Sequence, residues 1–176
     1  VQIGQKVAWA MHLGSAAEIV NVPAAQLVPV PDGLDLRIAA AAMLQGMTAH
    51  YLVNSTYAVR PGDTALVHAA AGGVGQLLVQ LITAKGARVI ATAGDPHKLA
   101  IAERLGAHVT IDYRREPDLA AAVRAASAGA GVDVVYDGVG KDTFDASLHS
   151  LRPRGMLVLF GGASGQVPPF DIQRLN

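Results

Sequence analysis

The stretch that decides the fold is TALVHAAAGGVG, residues 64–75. Its first part, residues 64–69, predicts a buried β-strand, and residues 74–85 predict a helix that is closed by Gly86. A glycine-rich turn between a strand and a helix is where a doubly wound fold binds a pyrophosphate. Glycines let the backbone approach the ligand, and the helix N-terminus offers N–H groups and a positive dipole end. The stretch therefore predicts an α/β domain with an anion site at this turn.

Downstream of this turn the chain continues to alternate between apolar runs and amphipathic segments. The predicted strands cover residues 88–92, 108–112, 132–136 and 155–160, and the predicted helices cover residues 96–105, 119–128 and 143–151. Continuous apolar runs are typical of strands that are covered on both faces. The pattern predicts an α/β fold, a Rossmann-type doubly wound parallel sheet with helices on both faces.

Upstream of the turn the pattern is different. Residues 1–31 contain short, partly alternating runs at 6–10 and 17–22, broken afterwards by prolines such as Pro29, which predicts the remnant of a β domain. Residues 32–61 predict connecting helices, with Gly46 interrupting or joining two of them. Residues 62–176 form the predicted nucleotide-binding domain. Both termini are interpreted as cuts in a longer protein, and the fragment itself is expected to be inactive.

Composition excludes several classes of protein. The 176 residues include 14 Lys+Arg, 14 Asp+Glu and no cysteine, and 51% are hydrophobic. A net charge of zero argues against a nucleic-acid binder, and the lack of cysteine excludes disulfides, thiolate zinc sites and a cysteine nucleophile. No apolar run reaches the ~18 to 20 residues of a membrane span, and no signal peptide is visible. These features fit a cytoplasmic protein.

The turn departs from the G-x-G-x-x-G pattern of dinucleotide sites. Ala69 and Ala71 stand where the first residues of that pattern would be, which leaves A-x-x-G-x-x-G through Ala69, Gly72 and Gly75. The strand before the turn, the helix after it and the complete βαβ unit around it strengthen the prediction. A tight turn that binds no ligand is the alternative.

The end of the second predicted strand favours NADPH over NADH. An NAD site expects an acidic residue there for the ribose, whereas this chain ends the strand with small residues up to Gly94. Lys98, in the first turn of the next helix, can pair with a 2′-phosphate, and Tyr113 and Arg114 lie close by in the sequence. Asp95 is interpreted as the N-cap of that helix, directed away from the ribose. A solvated Lys98 without a ligand remains the alternative.

The chain from Thr48 to Gly165 resembles the zinc-free NADPH:quinone oxidoreductases, the zeta-crystallin type, of the medium-chain dehydrogenase/reductase superfamily. The matching pieces are QGMTA (45–49), HAAAGGVG (68–75), IDYR (111–114), VYDGVG (135–140) and FGGASG (160–165). The resemblance implies a Rossmann domain joined to a GroES-like β domain, of which residues 1–31 would be the remnant. It also implies NADPH-dependent hydride transfer to a small-molecule quinone or related α,β-unsaturated carbonyl, and a homo-oligomer when full length.

The resemblance also implies a set of cofactor contacts. These are Thr48 beside the nicotinamide; Ala71, Gly72, Gly73 and Val74 at the pyrophosphate; Gly94, Lys98 and Tyr113 around the 2′-phosphate; and Phe160, Gly161 and Ser164 at the nicotinamide ribose. Gly138 departs from the family, in which relatives often carry serine. No residue of the chain is assigned as a catalytic acid, and no metal site is predicted, because the zinc branch of the superfamily uses cysteines.

Other sites fit the sequence less well. The six histidines show no metal-ligand spacing, and His68 is predicted to be a packed core residue. Ser164 lacks the G-x-S-x-G order of a nucleophile elbow, and no GxxxxGK[ST] is present for a P-loop. A methyltransferase would need an acidic residue at the end of the second strand. The remaining alternative is an NADPH-binding module without turnover, in a sensing or structural role.

Overall fold

A computed structural model describes residues 1–175 of the chain. Asn176, the last residue of the predicted nucleotide-binding domain, lies outside the described residues. The chain divides into two compact units, the first covering Val1–Thr48 and the second beginning at Ala49. Among the described residues, no helix combines the length and the apolar character that a membrane crossing requires.

The first unit contains one small antiparallel sheet. Strand β1 (Val7–Ala8) pairs with β2 (Val28–Pro29), with Val7 opposite Pro29. The predicted strand at 17–22 is wrong: these residues form bends and coil, and the Ile19 side chain is 89% exposed. A strand needs a partner for its backbone and an apolar surface for one face, and alternation alone supplies neither. The prediction that Pro29 breaks the ladder is also wrong, since a two-residue strand tolerates the missing N–H.

Helix α1 (Leu36–Tyr51) is continuous and passes through Gly46 without interruption. The predicted break at Gly46 is therefore wrong, because a single glycine only weakens a helix by about 1 kcal/mol relative to alanine. The Asp35 carboxylate accepts a hydrogen bond from the Arg37 N–H at 2.7 Å, as expected for a residue at the helix start. One π-helical turn (Leu52–Thr56) follows α1.

Replacing Gly46 by alanine is expected to stabilise the chain by about 0.5 to 1 kcal/mol, because alanine lowers the entropy cost of the helix. The added Cβ would meet only the Ala42 Cβ at 3.8 Å, which is an ordinary contact. Urea denaturation of the two proteins measures the difference. A less stable variant would contradict the continuous helix.

The second unit is built around a parallel sheet of five strands, in the order β5-β4-β3-β6-β7. The strands are β3 (Thr64–Val67), β4 (Arg88–Ala93), β5 (Val109–Asp112), β6 (Val132–Asp137) and β7 (Leu151–Leu159), and the helices between them are α2 (Gly73–Ala84), α3 (Pro96–Arg104), α4 (Leu119–Ala126) and α5 (Phe144–Ser150). This arrangement confirms the predicted Rossmann-type fold. The winding direction reverses between β3 and β6, which is the switch point where such sheets bind ligands.

Both faces of the central strands β3, β4 and β6 are buried, which explains their continuous apolar runs. On one face Val67 and Val89 pack in a cluster that includes Leu78 and Ile82 of α2. On the other face Leu66 and Ile90 belong to a separate cluster completed by Val123 of α4. Strand β7 begins earlier than the predicted residue 155, because a register shift between Val132 and Val134 lets the chain pair with β6 from Leu151 onward.

Candidate functional site

A cleft of about 790 Å³ opens where strands β3, β4, β5 and β6 end. Its lining residues are His68, Ala69, Ala71, Gly72, Thr92, Ala93, Gly94, Lys98, Tyr113, Glu116, Pro117, Asp118, Leu119, Ala120, Val139, Asp142, Thr143, Asp145, Ala146, His149, Ala163 and Ser164. The cleft thus lies at the switch point of the sheet. Its volume falls within the range of about 300 to 1,000 Å³ that small-molecule sites occupy.

The predicted glycine turn forms one wall of the cleft. Ala69 takes the left-handed conformation, with φ of +48°, and its carbonyl accepts the Gly72 N–H at 2.8 Å. The Gln76 side chain donates to the Ala71 carbonyl at 2.8 Å, which holds the outer part of the turn. The Gly72 N–H already donates to the Ala69 carbonyl, so it is not free to bind a ligand. Gly72 contributes to the site through the space that its missing side chain leaves.

Helix α2 begins at this turn with its first N–H groups uncapped. Its N-cap is Gly72, which has no side chain, and no acidic residue lies in the first turn. The first N–H groups of any helix lack an intrahelical acceptor, and the dipole makes this end positive. The backbone N–H groups of Gly73 and Val74 are therefore the groups best suited to hold a diphosphate.

Gly75 allows α2 to lie close against the end of β3. A Cβ built on Gly75 would overlap the Ala69 carbonyl oxygen and would lie 2.8 Å from the Ala70 Cα. These are backbone atoms, so no rotation of a side chain can relieve the overlap. This is the role of the third glycine in dinucleotide-binding turns.

A second group of predicted residues meets at the end of β4. A Cβ on Gly94 would lie 2.6 Å from the Tyr113 hydroxyl, so a larger residue there would displace the Tyr113 ring, which is 46% exposed. The Asp95 carboxylate accepts the Lys98 backbone N–H at 2.9 Å, which confirms Asp95 as the N-cap of α3. That hydrogen bond is the main cause that lowers the pKa of Asp95. The Lys98 ammonium lies 3.3 Å from the same carboxylate and is largely exposed.

The predicted nicotinamide-side residues are only partly brought to the cleft. Ser164 lines it, but its hydroxyl donates to the Val139 carbonyl at 2.9 Å and accepts the Asp142 N–H at 3.0 Å, which fixes the loop after β7. Phe160 and Gly161 are not among the lining residues. Both pack on Gly138. A Cβ built on Gly138 would lie 2.9 Å from the Phe160 ring, so glycine at position 138, in place of the family's serine, fits the packing.

Thr48 belongs to the first compact unit, where its hydroxyl donates to the Leu44 carbonyl at 2.8 Å within α1. Its predicted place beside the nicotinamide stays a prediction.

Beneath the cleft lies a buried polar network that the sequence analysis missed. His68 is 2% exposed, which confirms it as a core residue, yet it also lines the cleft. Its Nδ1 lies 2.9 Å from the Thr92 hydroxyl, and its Nε2 lies 3.0 Å from the Ser147 hydroxyl. Ser147 donates to the Asp137 carboxylate at 2.7 Å. The only available signal was a lone acidic residue at the end of an apolar strand, in VVYDG.

The surroundings of this network shift the pKa values of its two titratable groups. Burial by itself would raise the pKa of Asp137, but hydrogen bonds from the Gly140 N–H and from the Ser147 and Thr143 hydroxyls outweigh burial and hold the pKa below its ordinary value. Burial lowers the pKa of His68, although the nearby Asp137 partly opposes this. At neutral pH the network therefore combines a neutral imidazole with an ionised carboxylate.

The lowered pKa of His68 predicts a loss of stability in mild acid. The unfolded chain takes up the proton near the ordinary value of 6.5, whereas folded His68 resists it. The free energy of unfolding therefore falls as the pH drops below about 6.5 toward the folded pKa, by up to about 1.4 kcal/mol per pH unit for this group. His68→Gln should reduce that slope, measured by urea denaturation at a series of pH values. An identical slope in the wild type and in His68→Gln would show that His68 has the same pKa in the folded and the unfolded chain.

Known proteins resemble this chain in both sequence and fold. Residues 73–176 match the family described as zinc-binding dehydrogenase. The chain belongs to this family. Among similar proteins are a quinone oxidoreductase of Pseudomonas aeruginosa, 46% identical over 99% of this chain and 54% of its own length, and a 2-haloacrylate reductase of a Burkholderia species, 44% identical over 97% of this chain and 52% of its own length.

Among the similar solved structures is the Escherichia coli quinone oxidoreductase complexed with NADPH. It is 40% identical, with a TM-score of 0.82 over 85% of this chain and 46% of that chain. The resemblance to quinone oxidoreductases of the medium-chain dehydrogenase/reductase superfamily is confirmed by these relatives. The chain spans about half the length of the curated relatives it matches.

The zinc in the family's description does not fit this chain. The sequence has no cysteine. Within residues 1–175, no group of three or more histidine, aspartate or glutamate side chains is arranged to hold a metal ion.

Proposed function

We propose that this chain carries the NADPH-binding half of an oxidoreductase that reduces quinones or related α,β-unsaturated carbonyls. The observation that carries the proposal is the glycine turn at the cleft, with the uncapped start of α2 beside it. The names of the relatives support the substrate class, since quinones and 2-haloacrylates both contain a carbon–carbon double bond conjugated to a carbonyl or carboxylate group. The E. coli relative, solved with NADPH, supports the cofactor.

The residues of the cleft and the first residues of α2 beside it would divide the binding of NADPH between them. The N–H groups of Gly73 and Val74 would hold the diphosphate at the positive end of α2. Lys98 and the Tyr113 hydroxyl would surround the 2′-phosphate above Gly94. NADPH supplies the hydride when it is bound, and the chain contributes its position and the exclusion of water.

The nicotinamide side is proposed on the resemblance. Thr48, Phe160, Gly161 and Ser164 would border the nicotinamide and its ribose, with Ser164 acting through the loop that its hydroxyl holds. The domain boundaries at 31 and 61, the GroES-like assignment, the homo-oligomer and the cytoplasmic location also stay predictions. No side chain of the cleft is assigned as a catalytic acid.

A fluorescence titration of the chain with NADPH and with NADH tests the cofactor. We expect NADPH to bind more tightly than NADH, because NADPH alone carries the 2′-phosphate with which Lys98 can form a charge-assisted contact. Equal affinities would contradict the 2′-phosphate site, and binding of neither nucleotide would contradict the dinucleotide site. Oxidation of NADPH by a soluble quinone in the full-length parent then separates an oxidoreductase from a binding module, which would bind NADPH without turnover.

A further inference from the structure

Four buried side chains form a continuous hydrogen-bonded chain below the cleft: Thr92, His68, Ser147 and Asp137. They join the ends of β4, β3 and β6 to helix α5. All four are almost completely inaccessible to water. Thr92 and His68 also line the cleft, so this row of hydrogen bonds connects the floor of the cleft to helix α5.

The direction of each hydrogen bond in this chain follows from Asp137. An ionised carboxylate only accepts hydrogen bonds, so the Ser147 hydroxyl donates its one proton to Asp137 Oδ2. The Ser147 oxygen is then left to accept from His68, which requires the proton of the neutral imidazole to be on Nε2. His68 Nδ1 is therefore an acceptor, and the Thr92 hydroxyl donates to it.

Asp137 also holds the opposite wall of the cleft. Its Oδ1 accepts the backbone N–H groups of Val139 and Gly140 at 2.8 and 3.0 Å. Both of its oxygens accept the Thr143 hydroxyl, at 2.8 and 2.7 Å. Val139 and Thr143 line the cleft, so one carboxylate fixes the loop after β6 and, through Ser147, the ring of His68.

We propose that Asp137 and Ser147 fix His68 as the Nε2–H tautomer and that His68 is thereby a positioning residue for the dinucleotide cleft. This inference rests on the proposed function for its binding part only. Loss of the Ser147 hydroxyl would leave His68 Nε2 without an acceptor, while Thr92 could still accept from Nδ1. The imidazole would then move its proton to Nδ1. The hydrogen bond between His68 and Ser147, which holds α5 against the end of β3 beside the cleft, would be lost.

Long-range proton–nitrogen NMR of the imidazole reads the tautomer directly in the free protein. In the wild-type chain we expect the His68 proton on Nε2, and in Ser147→Ala we expect it on Nδ1. The same substitution should weaken NADPH binding by about three- to tenfold, because the His68 ring that lines the cleft loses the hydrogen bond that holds it to α5. Thr92→Val, at the other end of this row of hydrogen bonds, should keep the Nε2–H tautomer, because the Ser147 hydroxyl can still accept the Nε2 proton.

Ser150→Ala is the matched control. Ser150 lies on the same helix, is equally buried and donates its hydroxyl to the Ala146 carbonyl at 2.7 Å, outside the network. We expect it to retain both the wild-type tautomer and the wild-type affinity. Equal losses of affinity in Ser147→Ala and Ser150→Ala would reduce Ser147 to a packing residue.

The remaining outcomes separate the two claims. A wild-type His68 with its proton on Nδ1 would overturn the inference even if Ser147→Ala did not fold. An unchanged tautomer in folded Ser147→Ala would overturn it as well. If wild-type chain binds no NADPH, the proposed function and the positioning role fail together, while the tautomer is still decided by the spectrum of the free protein.

Discussion

Gly75→Ala is expected to lower the free energy of unfolding by about 1 to 3 kcal/mol, the usual cost of forcing an atom into a packed core. The new Cβ would overlap the Ala69 carbonyl oxygen and the Ala70 backbone, so α2 would have to move away from β3. The same displacement would pull the N–H groups of Gly73 and Val74 away from the diphosphate. We therefore expect NADPH binding to fall below detection in a fluorescence titration.

Gly46→Ala is the matched control for this result. Both substitutions place alanine in a helix, where alanine is intrinsically favoured, but the Cβ at position 46 has room and the Cβ at position 75 does not. The two variants should therefore change stability in opposite directions in urea denaturation. A Gly75→Ala chain as stable as wild type, with intact NADPH binding, would contradict the close approach of α2 and β3.

Lys98→Glu is expected to weaken NADPH binding by about 1 to 3 kcal/mol, or about 5- to 150-fold, and to leave NADH binding unchanged. The loss has two sources. The charge-assisted contact with the 2′-phosphate disappears, and the new carboxylate repels the 2′-phosphate. Parallel titrations with the two nucleotides measure the selectivity, because they differ only in the 2′-phosphate.

Arg104→Glu controls for the change in net charge. Arg104 is an exposed residue in the last turn of the same helix, α3, about 9 Å along the axis from Lys98. Its reversal alters the total charge by the same amount but lies at the far end of α3 from the cleft. We expect it to leave the ratio of NADPH to NADH affinity as in wild type. If both reversals lowered NADPH affinity equally, Lys98 would be excluded from the site.

The fold of the second unit could be predicted because its signals are local and repeated. The central strands β3, β4 and β6 are apolar runs covered on both faces, and α3 begins at Pro96 after the Asp95 cap that its sequence predicts. The first unit lacks such repetition. The run at 17–22 alternates like a strand but has no partner, and a pattern of alternation cannot show whether a partner exists.

The turn and the Gly94–Lys98–Tyr113 group could be predicted because each lies directly after a strand, at the edge where parallel strands end. The wall formed by α4 and α5 could not. It depends on which helices the sheet order brings beside the switch point, and on contacts such as Ser147 with His68, which are 79 residues apart.

The central claim is that the start of α2 holds a diphosphate, and a crystal structure of the chain with NADPH tests it most directly. We expect diphosphate oxygens within hydrogen-bonding distance, about 2.7 to 3.2 Å, of the Gly73 and Val74 N–H groups. We also expect the Gly72 N–H to remain on the Ala69 carbonyl. A nucleotide bound elsewhere, or a diphosphate that makes no contact with this turn, would contradict the account.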